Sequence, residues 1–244
     1  MNKCKVAIKS DFVDNYDYCF DVAHGNNDCF IWERISTDGP NKLEQFEIME
    51  NHGLIVPNYW HVKDFNKDWY IAQLQEQFVV YMDIDKHRGE GKELFYGDQV
   101  VHRMDQIGDK LICDYCRPMN WDIFTYRCLV IGRKKLYWFR CCSNDEWRSN
   151  VGHMDGDDCM VDMKRINDDI VYFMREGKEF DDIWEKVMTF NYPMYAIDFV
   201  ISEFGYPGKK MVAVDFNIAP GIHDNSIDSK EIYKLVCHWF ENNK

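Results

Sequence analysis

The stretch MYAIDFVISEFGYPGKKMVAVDFNIAPGI, residues 194–222, decides the fold. It contains two apolar, strand-like runs, AIDFVISE and MVAVDFNI, and the FGYPGKK segment between them predicts a hairpin turn. Each run carries a carboxylate, Asp198 or Asp215, where a sheet normally buries an aliphatic side chain. Asn217 follows Asp215 by two positions, and alternate side chains of a strand share a face. We therefore expect Asp198, Asp215 and Asn217 to lie together on one face of an antiparallel sheet.

Two carboxylates and an amide oxygen form an all-oxygen set, which suits Mg²⁺ that is partly coordinated by phosphates. The alternative is that Asp198 and Asp215 simply stand on a solvated face. Pro220-Gly221 favours the metal site, because this pair ends the second strand just past Asn217 and turns the chain there.

The composition restricts the class of protein. The chain has 244 residues, 46% of them hydrophobic and 16% aromatic, so it can bury a substantial core in one domain or two adjoining lobes. Its formal net charge of −13 disfavours a nucleic-acid partner. No apolar run reaches the roughly 18 residues of a membrane span, and MNKCKVAIKSDF lacks the apolar core of a signal peptide. We expect a cytoplasmic protein without a membrane partner.

The chain contains 10 cysteines, which we expect to be thiols because disulfides are rare in the cytoplasm. Cys113, Cys116 and the adjacent Cys141 and Cys142 are an alternative zinc set. Each of them lies in an apolar, strand-like context, however, so buried core thiols are the favoured interpretation.

Helical and strand patterns alternate irregularly, which predicts an α+β fold with a large sheet. The strand patterns are KVAIKS, DCFIWERI, FVVYMDI, KLICDYC, TYRCLVIG and KLYWFRCC, and Gly132-Arg133-Lys134 predicts a hairpin between the last two. The helical patterns are NKLEQFEIMENHG, KDWYIAQLQEQ, DQVVHRMDQI, residues 160–177 and 179–188, and SKEIYKLVCHWFE. LIVPNYWHV indicates a short edge segment, and DKHRGEGKELF indicates a Gly-bearing turn.

The segment IDFV…VAVDFNIAPGI resembles the closing motif of the ATP-grasp superfamily, in which one strand carries Asp and the next carries an acidic residue, a spacer and Asn before Pro-Gly. Other segments follow in the family's order. They are NKLEQFEIMENHGLIVPNY, similar to the opening Asn-Lys helix; FVVYMDIDKHRGEG, similar to the strand and Gly-rich phosphate loop; LICDYC, similar to the adenine hinge; TYRCLVIG, similar to the Tyr-x-Arg strand; and LYWFR with WRSN, similar to the Arg strand and Arg-x-Asn loop. The resemblance is nearest to the branch that adds amino acids to peptides or proteins.

This resemblance implies an ATP-grasp fold, with two α/β lobes that clamp a nucleotide and a largely antiparallel sheet in the C-terminal lobe. It divides the chain into a short N-terminal remnant at 1–39, an N-terminal lobe at 40–112 with the Gly-rich loop, and a C-terminal lobe at 113–244 with the metal site. Residues 1–39 are too few for the family's usual preceding α/β domain. Substrate recognition would then use the acidic loop GHMDGDD, a partner protein or a large acceptor.

The implied activity is an ATP- and Mg²⁺-dependent carboxylate–amine ligase. It would transfer the γ-phosphoryl group of ATP to a carboxylate substrate. An amine or thiol acceptor, such as a peptide or protein, would then attack the acyl phosphate, with ADP and phosphate as products. Two Mg²⁺ ions, or Mn²⁺, would neutralise the charge that moves. A kinase on the same scaffold and a non-catalytic nucleotide-binding or interaction module remain alternatives.

The resemblance also assigns residues. Asp198, Asp215 and Asn217 would hold metal, Arg140 would steady the transferring phosphoryl group, and Arg148 and Asn150 would add donors near the triphosphate. The nucleotide would contact Lys42, Lys86, Arg88, Gly89, Gly91, Arg127 and the backbone of Cys113, Asp114, Tyr115 and Cys116. The alternative for Arg140, Arg148 and Asn150 is a solvated hairpin end. The alternative for the loop of Lys86, Arg88, Gly89 and Gly91 is a plain surface turn, and that for Lys42 is an exposed residue at a helix start. Arg127 lies in mid-strand, where a guanidinium needs a partner, either a nucleotide or one of the carboxylates.

Two positions depart from the family pattern. The strand before the Gly-rich loop usually carries a phosphate-binding Lys, and the matching position looks like Met82. Either Lys86 replaces that lysine or nucleotide binding is weaker. Asp215 stands where Glu is more usual.

Overall fold

A computed structural model describes residues 6–8, 18–23, 29–34, 39–85, 91–118, 124–142, 147, 159–161, 178–202, 210–218, 220 and 229–243. The strands in these ranges are β1 (Val6–Ile8), β2 (Tyr18–Ala23), β3 (Cys29–Arg34), β4 (Tyr59–His61), β5 (Gln77–Tyr81), β6 (Lys92–Tyr96), β7 (Leu111–Asp114), β8 (Phe124–Ile131), β9 (Lys135–Cys142), β10 (Cys159–Val161), β11 (Met194–Ser202) and β12 (Lys210–Asn217). The helices are α1 (Lys42–Asn51), α2 (Lys67–Ala72), α3 (Gly97–Ile107), α4 (Lys178–Val187) and α5 (Ser229–Asn242).

The strands form three sheets. A 3-stranded sheet has the order β1-β2-β3, a 4-stranded sheet β4-β7-β5-β6 and a 5-stranded sheet β10-β9-β8-β11-β12. Every pair in the two larger sheets is antiparallel, whereas β1 and β2 run parallel. The predicted α+β class with a largely antiparallel C-terminal sheet is therefore confirmed.

Several elements differ from the sequence prediction. The prediction missed β2, β6 and β10. KELF, which it assigned to a turn, lies in β6, which pairs with β5 along its whole length. β7 pairs with β4 and β5, so the four-stranded sheet extends to Asp114. The helix expected at 160–177 is contradicted at its start, where β10 pairs with β9, and residues 162–177 lie outside the described ranges.

The predicted hairpin between β8 and β9 turns at Gly132 and Arg133, whose φ angles are 59° and 54°. Positive φ at both central residues is the geometry that matches the twist of a tight hairpin. A Cβ at Gly132 would lie 2.7 Å from the carbonyl oxygen of Leu235 in α5. Glycine is therefore required here both by the turn and by the closeness of the C-terminal helix.

The main hydrophobic core joins the four-stranded and five-stranded sheets. Phe46 and Met49 of α1 are fully buried in it, together with Val79 and Tyr81 of β5 and most inward residues of β8, β11 and β12. The alternate residues of β5, Phe78 and Val80, belong to a second cluster with α2 and α3. The four-stranded sheet thus presents one face to the five-stranded sheet and the other to two helices, as the two-residue period of a strand requires.

Cys113, Cys116 and Cys128 are buried free thiols, as the sequence predicts, and the side chains of Cys141 and Cys142 lie outside the described part of the chain. None of the helices in the described ranges is long and apolar enough to cross a membrane.

Candidate functional site

Asp198 and Asp215 lie directly opposite each other on β11 and β12, and Asn217 lies opposite Ala196 on the same strands. Directly opposed residues of an antiparallel pair share a face, so the two carboxylates and the amide are neighbours. The register shifts beside this pair, because Phe199 lies opposite Ala213 and Val214 is the extra residue of a β-bulge. A bulge bends the edge strand and redirects the side chains next to it, here that of Asp215.

Arg127 of β8 lies opposite Asp198 on its other side. Its Nε donates to Oδ1 of Asp198 at 2.8 Å, and its Nη2 donates to Oδ2 at 2.9 Å. The two side chains are only 14% and 4% exposed, respectively. Of the two partners that the sequence left open for Arg127, the structure shows the carboxylate, and both oxygens of Asp198 are engaged by this one guanidinium.

The side chain of Lys42 extends from the start of α1 and contacts Asp215 of β12. It is the first residue of α1, whose start is fixed by a capping box: Glu44 N donates to Asn41 Oδ1 at 3.1 Å, and Asn41 N donates to Glu44 Oε2 at 2.8 Å. The Lys42 ammonium donates to Oδ1 of Asp215 in a close ion pair. Although Lys42 was predicted to contact a phosphate, its partner here is a carboxylate.

The neighbours of Asp215 favour its ionised form, and its side chain is partly exposed. Burial by itself raises the pKa of Asp215, but Lys42 above all, then Lys92 and Arg127, outweigh that effect and hold the pKa below its usual value. The side chain of Asp215 is 39% exposed, in contrast to that of Asp198. A ligand that approaches this face would therefore meet Asp215 rather than Asp198.

The four-stranded sheet adds Tyr81 and Lys92 to the site. These two residues are opposite each other on β5 and β6, so they share the face that meets the five-stranded sheet. The Lys92 ammonium lies 5.7 Å from the ring centroid of Trp147, and that of Lys42 lies 5.8 Å from the ring of Tyr81. Met82 instead packs against the second cluster, on the opposite face. The sequence prediction missed Lys92, which strand alternation would have found had β6 been recognised.

The predicted hinge, Cys113 to Cys116, begins in the last two residues of β7 and continues past its end. Asp114 N donates to Asn58 O at 3.0 Å, and Tyr115 N donates to Gln77 O at 3.0 Å. A base at the hinge would therefore bind through groups other than these two N–H groups. Burial raises the pKa of the Cys113 thiol to about 12, so Cys113 is a packing residue rather than a nucleophile.

Most of the other predicted site residues lie outside the described part of the chain. Lys86, Arg88, Gly89, Arg148 and Asn150 lie outside the described residues, and only the backbone of Arg140 is described, in β9. Gly91 is described: its φ is 67°, and its carbonyl accepts from Asp83 N at 3.0 Å, which closes the base of the β5–β6 loop.

The donor set suits a metal ion only in part. Asp215 and Asn217 offer oxygens on one face, whereas Asp198 would have to leave Arg127 before it could coordinate an ion. Within the described ranges, no group of three or more His, Cys, Asp and Glu side chains is arranged to hold a metal. Two protein oxygens fit a cation such as Mg²⁺ that takes its remaining ligands from water and phosphates.

No family model matches the sequence, and no curated protein matches it. Solved structures do match. D-alanyl-alanine synthetase A from Vibrio cholerae O1 biovar eltor is similar with a TM-score of 0.51 and 12% identity, over 83% of this chain and 65% of that chain. A Chryseobacterium gregarium RiPP-associated ATP-grasp ligase, in complex with ADP and a leader and core peptide, has a TM-score of 0.47 and 14% identity, over 83% and 60% of the two chains.

N5-carboxyaminoimidazole synthetase from Staphylococcus aureus, complexed with ADP, has a TM-score of 0.46 and 13% identity, over 78% of this chain and 47% of that chain. This chain thus spans 47% to 65% of the length of these three proteins. The likeness at a TM-score of 0.51 shows the fold: the chain has the ATP-grasp fold.

Proposed function

We propose that this chain binds ATP and Mg²⁺ between its four-stranded and five-stranded sheets and uses them to join a carboxylate to an amine. The observation that carries the proposal is the charge arrangement at Asp215. An ionised, partly exposed carboxylate stands between Lys42 and the Arg127–Asp198 pair, and Lys92 is close enough to lower its pKa. A set of fixed cations around a metal-binding carboxylate is what phosphoryl transfer requires.

The lysines would bind the polyphosphate. Lys42 and Lys92 come from the start of α1 and the start of β6, and both reach the face that carries Asp215. Lys86, Arg88, Gly89 and Gly91 would complete the phosphate loop between β5 and β6. The base would lie at the hinge of Cys113 to Cys116. Met82, which follows β5, packs on the opposite face of the sheet. Lys92, on the neighbouring strand β6, would supply the cation in its place.

Asp215 and Asn217 would hold Mg²⁺, and Asp198 would join them only after release from Arg127. The metal, when bound, would neutralise charge on the β- and γ-phosphates. Asp198 fixes the Arg127 guanidinium on the same face by two hydrogen bonds, so this cation is oriented before any ligand arrives.

The reaction would take place in two steps. A carboxylate oxygen of the substrate attacks the γ-phosphorus, the bond from that phosphorus to the bridging oxygen breaks, and ADP leaves. The amine nitrogen then attacks the acyl carbon, phosphate leaves with the former carboxylate oxygen, and the nitrogen loses a proton. Arg140, Arg148 and Asn150 would donate to the phosphoryl oxygens and to the tetrahedral intermediate. The acceptor would be an amino acid, a peptide or a protein.

A non-catalytic nucleotide-binding module is the second candidate. The observation that favours it is the Arg127–Asp198 pair, which occupies both oxygens of one of the three predicted metal residues. Such a module would bind nucleotide and release no ADP when acid and amine are supplied together.

Thermal unfolding in the presence of nucleotide tests the proposal. We expect ATP with Mg²⁺ at about 100 times its Kd to raise the Tm by roughly 5–10 °C, because a ligand that binds only the native state stabilises it by about 2.7 kcal/mol. EDTA and Asp215→Asn should each remove the rise, whereas Asp68→Asn, at an exposed position of α2, should keep it. No rise at millimolar ATP would overturn the proposal. ADP release with acid and amine mixtures then separates the ligase from the non-catalytic module.

A further inference from the structure

The Lys42 ammonium already contacts Oδ1 of Asp215, the carboxylate that we propose to hold a metal ion. An ammonium has three N–H donors, and those of Lys42 are directed at Asp215 Oδ1, Gln45 Oε1 at 2.8 Å and Val214 O at 3.4 Å. The side chain of Lys42 is only 11% exposed, so its ammonium depends on these three acceptors rather than on water. A divalent cation and an ammonium cannot both contact one carboxylate oxygen in such a place without strong repulsion.

Gln45 holds the ammonium there. It is 4% exposed and lies one helical turn beyond Lys42 on the same face of α1. Its Nε2 donates to Pro40 O at 3.0 Å, which fixes the orientation of the amide. Its Oε1 must then point the other way, where it accepts from Lys42 Nζ and, at 3.4 Å, from Phe216 N beside Asp215. Gln45 therefore links Lys42 to the strand that carries the carboxylate.

We propose that Lys42, positioned by Gln45, is an internal counter-ion of Asp215 that excludes a divalent cation until a polyphosphate draws the ammonium away. The inference rests on the proposed role of Asp215 as a metal residue. It makes metal and nucleotide binding cooperative: each ligand binds better when the other is present, because the nucleotide supplies the new partner for Lys42. Gln45 is a positioning residue, since it acts through Lys42.

Titration with Mn²⁺ alone, followed by the EPR signal of the free ion, tests the proposal without any turnover. We expect wild type to bind Mn²⁺ weakly without nucleotide and at least tenfold more tightly with ADP. Lys42→Met should bind Mn²⁺ alone at least tenfold more tightly than wild type, and Gln45→Met several-fold more tightly. Adding Gln45→Met to Lys42→Met should change nothing further, because the residue through which Gln45 acts is then absent.

Two matched variants control for general effects. Lys67 is also the first residue of an Asn-capped helix but is exposed, and Gln106 is an exposed glutamine of α3. Lys67→Met and Gln106→Met should leave Mn²⁺ binding unchanged. Asp215→Asn in the Lys42→Met background should abolish the gained binding. If Lys42→Met does not fold, Lys42→Gln removes the charge and keeps a hydrogen-bond donor.

The outcomes separate this inference from the proposed function. If wild type with ADP binds Mn²⁺ but Lys42→Met alone binds no more tightly than wild type, the counter-ion is overturned and the nucleotide site stands. If Lys42→Met gains Mn²⁺ binding at Asp215 but ADP has no effect on wild type, the counter-ion role of Lys42 is supported and the proposed nucleotide site is overturned. An equal effect of Gln45→Met in both backgrounds would overturn the positioning role of Gln45.

Discussion

Arg127 and Asp198 form a buried ion pair in which each side chain compensates the charge of the other. The energy of such a pair is dominated by desolvation of the charges, which the two hydrogen bonds between guanidinium and carboxylate offset. Removing one partner therefore leaves a buried charge, whereas removing both leaves none. This asymmetry distinguishes the pair from the ion pairs at the surface, such as that of Arg103 with Glu93.

We expect Arg127→Met to lower the free energy of unfolding by about 3–5 kcal/mol, because it leaves the Asp198 carboxylate buried without its guanidinium. The double variant Arg127→Met with Asp198→Asn should recover much of this loss. Arg103→Met, at a side chain that is 40% exposed, should cost less than about 1 kcal/mol. Urea unfolding measures all three, and a loss for Arg127→Met as small as that for Arg103→Met would contradict the argument.

The sequence could locate the carboxylates and offered one of them as a partner for Arg127, but it could not identify Lys42 as the partner of Asp215. Asp198, Asp215 and Asn217 stand out because polar residues interrupt apolar strands, and alternation along a strand places them on one face. Lys42 and Asp215 are 173 positions apart, so only the folded chain brings them together. Gln45 carried no signal at all in the sequence, since a glutamine on a helix is normally exposed.

The start of α3 lies very close to the backbone at the end of α2. Gly97 is its first residue, and a Cβ built there would lie 2.4 Å from the carbonyl oxygen of Gln73 and 2.6 Å from that of Tyr70, at the end of α2. Both atoms belong to the backbone and cannot rotate away. The absence of a side chain at Gly97 therefore sets the distance between the two helices that cover the four-stranded sheet.

We expect Gly97→Ala to destabilise the protein by about 1–3 kcal/mol, because the added methyl group forces α2 and α3 apart. The intrinsic helix preference of alanine, about 1 kcal/mol over glycine, acts in the opposite direction and makes the sign informative. Gly39→Ala meets no atom within 4 Å and should change stability by less than about 0.5 kcal/mol. A stabilised Gly97→Ala variant in urea unfolding would show that the helices can separate freely.

At the scale of helices and strands, the sequence predicted the elements whose apolar residues have a strong period. It missed the strands whose conformation depends on pairing with another strand. α1, α3 and the β8–β9 and β11–β12 pairs were predicted correctly, because their apolar spacing or turn residues indicate them directly. β6 was missed because Lys92 follows a Gly-rich segment and the strand carries charged residues. Its hydrogen bonds to β5 decide its conformation, and no local pattern reports them.

At the scale of the whole molecule, one hydrophobic core is shared by the four-stranded and the five-stranded sheets. Phe46 of α1 stacks on Tyr59 of β4 at 5.2 Å between ring centroids, contacts Tyr81 of β5 at 6.2 Å, and belongs to the same cluster as Phe216 of β12. In addition, Ala213 N donates to Ile55 O at 2.7 Å, so the segment after α1 is bonded to the five-stranded sheet. These contacts make the two sheets one cooperative unit.

We therefore expect Phe78→Ala to weaken both sheets, although Phe78 lies in the cluster shared only with α2 and α3. The substitution should cost about 3–5 kcal/mol, as for a fully buried phenylalanine. The most protected amides of β11 should lose as much protection from hydrogen exchange as those of β5, because both exchange through one global opening. The control is Phe46→Ala, in the core shared by the two sheets. It should lower the protection of the β5 and β11 amides whether or not the sheets unfold together. Protection that falls in β5 and β7 but stays unchanged in β11 after Phe78→Ala would show that the four-stranded sheet opens on its own. The proposed nucleotide site would then lie between one sheet that stays folded and one that unfolds separately.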